Sequence, residues 1–114
     1  MRDEPLTIEA APSSHDDAVV LRLKGPLTIS TLFPLQDYLH AQKVPLTILD
    51  MTEVPYIDSA GLGAILMGHV SAEKNARRLV LVGVSERVMS LVRMTRVDTV
   101  LTTFPTIEAA EESL

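Results

Sequence analysis

The chain begins with short stretches in which apolar and polar residues alternate, and it moves on to runs that are apolar throughout. Residues 18–24 set Val19, Leu21 and Leu23 on one side of an extended chain, with Arg22 and Lys24 partly on the other. That is the period of a half-buried β-strand. Residues 6–10 form a second short run. The residues between them, 11–17, hold Pro12, Ser13, Ser14 and two aspartates, a turn composition that predicts antiparallel pairing. Residues 46–49 and 79–82 are almost purely aliphatic, as strands are when helices cover both faces of a sheet, and they are predicted to be central parallel strands. Residues 100–104 make a last strand.

Helical spacing fills the gaps. After Gly25 and Pro26, Thr31 is the expected N-cap of a helix that carries Pro34 in its first turn, where a missing N–H costs little. Leu32, Leu35, Tyr38 and Leu39 share one face of it, and Pro45 closes it. Leu62, Ile65, Leu66 and Val70 recur at helical spacing between the two aliphatic strands, which makes strand, helix and strand a right-handed crossover. Ser85 is the expected cap of a helix bearing Val88, Met89, Leu91 and Val92, and Thr106, after Pro105, starts an acidic terminal helix. The sum is an α/β fold: a mixed sheet of four to five strands, an N-terminal antiparallel hairpin, central parallel strands and about four helices.

Composition narrows the chemistry. With 114 residues, 46% of them apolar and 4% aromatic, the expectation is one domain over 1–114 with an aliphatic core. Ten Lys and Arg stand against fifteen Asp and Glu, for a net charge of −5. No basic field is available to neutralise a nucleic-acid backbone. The one dense basic cluster, Lys74, Arg77 and Arg78, falls where a helix should end and is read as complementing its dipole. The absence of cysteine removes disulfides and thiolate chemistry and fits a reducing compartment. Residues 1–9 lack the apolar run of a signal peptide, and residues 60–68, the longest weakly polar stretch, are too short to cross a bilayer, which takes roughly twenty. The expectation is a cytoplasmic protein without membrane insertion, metal or cofactor.

The candidate chemistry lies in Tyr56-Ile57-Asp58-Ser59-Ala60-Gly61-Leu62-Gly63, at the carboxyl end of a buried strand where folds of this class place function. Asp58 or Ser59 can cap the helix that follows, each having an oxygen able to accept from a first-turn N–H. On local pattern alone both would be caps, with Gly61 and Gly63 allowing close packing against the sheet. A nucleophile elbow is excluded because Ile57 stands where a glycine is needed. His69 is ten positions along the same helix, roughly 15 Å away at ~1.5 Å per residue. Leu66 replaces the third glycine of a dinucleotide loop. His15, His40 and His69 are scattered without ligand spacing, so no enzymatic activity is expected.

The same segment, with the Leu-x-Gly-x-Leu run at 23–27 and the order of elements, resembles the STAS domain of bacterial anti-sigma factor antagonists over nearly the whole chain. The resemblance implies that Ser59 is phosphorylated by an anti-sigma factor that is also a serine kinase. The unmodified chain would bind that partner and free a sigma factor, the phosphorylated form would let go, and a phosphatase would reset it. It further implies a partner footprint of Asp58, Ser59, Ala60, Gly61 and Leu62 on one helix, with Met89, Arg93 and Met94 on the next. Thr28 departs from the aspartate that the family often has at that position. Another STAS role, as an accessory or scaffold subunit of a transporter ATPase or a stress-signalling complex, would leave Ser59 in a packing role.

Overall fold

A computed structural model describes residues 4–114. Strands β1 (Thr7–Pro12) and β2 (Ala18–Lys24) form an antiparallel hairpin, and β3 (Leu46–Glu53), β4 (Arg78–Val82) and β5 (Thr102–Phe104) add to it in parallel, in spatial order β1-β2-β3-β4-β5. Helices α1 (Phe33–Ala41), α2 (Ser59–Lys74), α3 (Glu86–Met94) and α4 (Ile107–Glu111) connect and follow them. The expected α/β architecture is therefore the observed one.

Strand alternation divides the core. Leu21, Leu23, Leu49, Met51, Leu79 and Leu81 face one layer, where they pack with Leu35 of α1, Leu62 and Ile65 of α2, and Val88 and Val92 of α3. Ala18, Val20, Leu46, Ile48, Val80 and Val82 face the other, covered by Ala110 and Ile107 of α4. β3 and β4 lie in the middle with both faces buried, which is why their sequences run apolar without alternation.

Several boundaries differ from expectation, each for a local reason. Leu6 lies outside β1, and the strand instead runs on to Pro12, opposite Val19; Pro is tolerated there because β1 is an edge strand. β3 continues past Leu49 to Glu53, with a register shift against β2 between Arg22 and Lys24. β5 starts only at Thr102, because the N–H groups of Val100 and Leu101 both bond to the Val97 carbonyl in a turn. Thr31 does not cap α1. Its hydroxyl donates to the Pro26 carbonyl (2.8 Å) and accepts from the Thr28 N–H (2.9 Å), while the flanking cap residue, Leu32, has no side-chain bond to the helix. Ser85 and Thr106 do cap α3 and α4, accepting from Val88 and Ala109.

The hairpin turn is tied to the far end of the chain through Glu111 on α4, whose Oε2 accepts from the Ser13 hydroxyl and from the Ser14 N–H (3.0 Å). The Ser13 and Ser14 hydrogen bonds hold the Glu111 carboxyl below its usual pKa. A depressed carboxyl stabilises the fold above its unfolded pKa and loses that contribution as pH falls through the folded value. Glu111→Gln is therefore expected to be less stable than wild type at pH 7. The gap in urea midpoint should close as pH drops below about 4, the ordinary glutamate range, and a gap that stayed constant from pH 7 to pH 3 would contradict the linkage.

Candidate functional site

The site is built where two loops run side by side at the carboxyl end of β3. The Leu27 N–H donates to the Tyr56 carbonyl and the Asp58 N–H donates to the Leu27 carbonyl, both at 3.2 Å, so that Leu27 and Ile57 form an isolated parallel bridge. Asp58 then turns the chain into α2. Its backbone is extended (φ −106°, ψ −177°), and its Oδ1 accepts from the Gly61 N–H at 2.8 Å. Its other oxygen, Oδ2, accepts from the Ile29 N–H at 3.1 Å. One carboxylate thus caps the helix and pins the neighbouring loop.

Gly61 completes the junction. A Cβ there would lie 2.2 Å from the Leu27 carbonyl oxygen, so only glycine lets the first turn approach that backbone. Gly63 has no such reason: a Cβ on it would meet nothing within 4 Å. The expectation that both glycines serve packing therefore holds for Gly61 alone, and its neighbour is the 26–31 loop.

With Asp58 as the cap, Ser59 is the first helical residue. It is exposed, and its hydroxyl makes no hydrogen bond among the described residues. The Ser59 and Ala60 N–H groups precede the first intrahelical bond and lie at the positive end of a sixteen-residue helix. Ala60 is half-buried against the core, and Gly61 and Leu62 are interior. Of the residues expected to meet a partner here, Ser59 is exposed, Asp58 and Ala60 are half-buried, and Gly61 and Leu62 are buried.

The outer face of α2 departs from the sequence expectation. Val70, placed there on the buried stripe, is 45% exposed, and Met67 is 68% exposed. Ser59, Gly63, Met67 and Val70 follow one another at helical spacing, so Ser59 heads a strip of small and apolar residues turned to solvent. Ile29, beside Asp58, and Phe33, at the start of α1, are each 59% exposed. On α3, Met89 packs partly into the core. Arg93 reaches back to Glu86 (2.6 Å), and Met94 is 78% exposed at the end of the helix. The residue of α3 that meets the motif is one that sequence spacing missed: the Arg87 guanidinium lies 5.0 Å from the centre of the Tyr56 ring. Nothing in the sequence pairs these two, since they belong to separate elements.

Thr28 is buried, at 5% exposure, and its hydroxyl accepts from the Ser30 N–H (3.2 Å). His69 is paired with Glu73 on its own helix (3.2 Å). Among the described residues, no helix is long and apolar enough to cross a membrane.

Comparison with known proteins agrees with this fold. The family model of the STAS domain matches residues 10–110. Similar solved structures include an anti-sigma factor antagonist from Mycobacterium paratuberculosis (TM-score 0.81, 19% identity, covering 95% of this chain and 92% of that one). The Bacillus cell fate determinant SpoIIAA is similar in both its forms. Its unphosphorylated structure gives TM-score 0.75 at 19% identity over 94% of this chain and 96% of that one, and its phosphorylated structure 0.72 at 18% over 95% and 100%. A sulfate transporter family protein from Wolinella succinogenes also matches (TM-score 0.67, 26% identity, 81% of this chain and 80% of that one).

The two glycines of the motif should respond to substitution in opposite directions. Gly61→Ala is expected to cost about 1–3 kcal/mol, as overpacking against rigid backbone does. Gly63→Ala is expected to stabilise by up to about 1 kcal/mol, since an open helix position loses only the entropy penalty of glycine. Urea unfolding checks both, and equal effects would contradict the packing described.

Proposed function

This chain belongs to the STAS domain family, and on that premise we propose that it is an anti-sigma factor antagonist that works by partner switching through Ser59. The observation that carries the reading is the division of labour at the start of α2. Asp58 does the capping, so the exposed Ser59 hydroxyl is not needed to hold the fold and is accessible to a kinase.

In this reading the unmodified chain docks its anti-sigma factor over Ser59, Ala60 and the strip continuing through Gly63 and Met67. Exposed Ile29 and Phe33 extend the apolar surface, and Met89 and Arg93 lie at its margin. The partner, a serine kinase, transfers the γ-phosphoryl of ATP to the Ser59 oxygen and releases ADP. The product carries about −1.5 to −2 charges. The helix N-terminus accommodates that charge through its free N–H groups and dipole. A partner surface built to cover a neutral hydroxyl cannot, because burying an unpaired dianion costs far more than one hydroxyl contact contributes. Release follows, and a phosphatase resets the chain, which itself performs no catalysis. Both the unphosphorylated and the phosphorylated form of SpoIIAA share this chain's fold, as a switch without a change of fold requires.

Thr28 stands in the loop that Asp58 pins, so its departure from the family's aspartate bears on how a kinase reads the site. A second reading, an accessory or scaffold module in a transporter or stress-signalling assembly, draws on the likeness to the sulfate transporter family protein.

Incubation with the cognate anti-sigma kinase and ATP, followed by intact mass measurement, separates the two. The wild type should gain one phosphoryl group and Ser59→Ala none, and Ser59→Asp should bind the kinase at least about tenfold more weakly than wild type, as loss of one buried neutral contact to a charge implies. No uptake would favour the scaffold, and equal uptake by Ser59→Ala would contradict a switch through Ser59.

A further inference from the structure

We infer that the chain carries a second binding site, for a small amphiphilic anion, at the end of α2 remote from Ser59. This goes beyond the switch proposed above; the groove meets the proposed partner strip at Met67, which lines its near edge. A groove of about 410 Å³ lies between the end of α1, the second half of α2 and the start of β4. Small-molecule sites span roughly 300–1,000 Å³. Its α2 wall runs from Ala64 to Lys74, five to fifteen residues past Ser59, or roughly 7–23 Å along the helix at ~1.5 Å each.

The floor is apolar. Leu39, Ala64 and Leu79 line it, and they close up around Gly68, where a Cβ would lie 2.7 Å from Leu39 Cδ1 and 3.1 Å from Leu79 Cδ2. The rim has the opposite character. Lys74, Arg77, Arg78 and His40 line the groove, and none of the fifteen acidic residues does. In a chain of net charge −5, this is a local reversal of sign.

The helix dipole accounts for Lys74, which lies in the last turn of α2, but Arg77 and Arg78 stand beyond it. They are placed by the chain reversal after α2, in which Ala76 adopts a left-handed conformation (φ 56°) and the Arg77 N–H bonds to the Ala72 carbonyl (2.8 Å). The Arg77 guanidinium is then fixed by one bond to the Gln42 carbonyl (2.8 Å), which leaves its other N–H donors available, whereas Arg78 Nη1 donates to the Ser113 carbonyl (3.1 Å) and hydroxyl (3.3 Å). Lys74 and His40 make no hydrogen bond or ion pair among the described residues. One fixed guanidinium and the neighbouring Lys74 ammonium beside an apolar floor match a ligand with one anionic head and an apolar body, the head being a carboxylate or a phosphate monoester.

The test is an amide-resolved NMR titration of the full chain at pH 7 with octanoate, octyl phosphate, 1-octanol and inorganic phosphate. The two amphiphilic anions should give saturable shifts at Leu39, Gly68, Ser71 and Arg77, and their relative affinities assign the head group. Octanol and inorganic phosphate should bind at least about tenfold more weakly, and Lys74→Glu should weaken both anions by a similar factor. Ser71→Phe, which fills the groove from its exposed wall, should abolish binding while leaving the Ser59 amide unshifted. No saturable shifts, shifts centred elsewhere, or octanol or inorganic phosphate binding as tightly as the amphiphilic anions would overturn the assignment.

Discussion

The Asp58 carboxylate joins two segments that are distant in sequence, and the working end of the molecule depends on that junction. One oxygen takes the Gly61 N–H and fixes where α2 begins; the other takes the Ile29 N–H and fixes the loop between β2 and α1. Neither bond would form without close backbone approach, which Gly61 permits by offering no side chain to the Leu27 carbonyl. A capping bond of this kind contributes about 1 kcal/mol, and the second bond adds the loop's register to the first turn's. The carboxylate and the glycine therefore act as a unit, and losing either frees both segments.

Because that junction is complete without Ser59, the serine is free of structural duty while sitting in an electrostatically special place. Capping by Asp58 leaves the first two helical N–H groups unused, and these, with the dipole, favour negative charge by about 0.3–2 kcal/mol. The Asp58 charge opposes that gain, but its two hydrogen bonds already draw on it. The same phosphate facing a dry partner surface meets no such compensation. In the switch proposed for Ser59, this asymmetry between a tolerant helix start and an intolerant partner would make a one-residue modification sufficient, with no rearrangement of the sheet.

Much of this was legible in the sequence, and the failures have local causes. β2 was read with its correct limits because alternation, Gly25 and Pro26 bound it. β3 and β4 were legible as buried parallel strands because nothing interrupts their aliphatic runs. Thr31 misled because a hydroxyl before a helix serves equally well inside a turn, and here it bonds Pro26 and Thr28. Asp58 and Ser59 could not be ranked as caps from composition, since both have the needed oxygen; only the extended backbone at Asp58 decides it. The outer face of α2 was misassigned because that helix is apolar nearly all round, so periodicity gives no clear face, and Val70 was counted inward. Arg87 over Tyr56 left no trace in spacing at all.

In the proposed switch, the start of α2 accepts a phosphate on Ser59 without loss to the fold. The most direct measurement is made on the chain carrying phosphate on Ser59, comparing its amide NMR spectrum and urea-unfolding free energy with those of the unmodified chain. The expected result is shifts confined to the first turn of α2 and residues 26–31, with stability unchanged or raised. Shifts spreading across β2 to β4, or a clear loss of stability, would contradict the account.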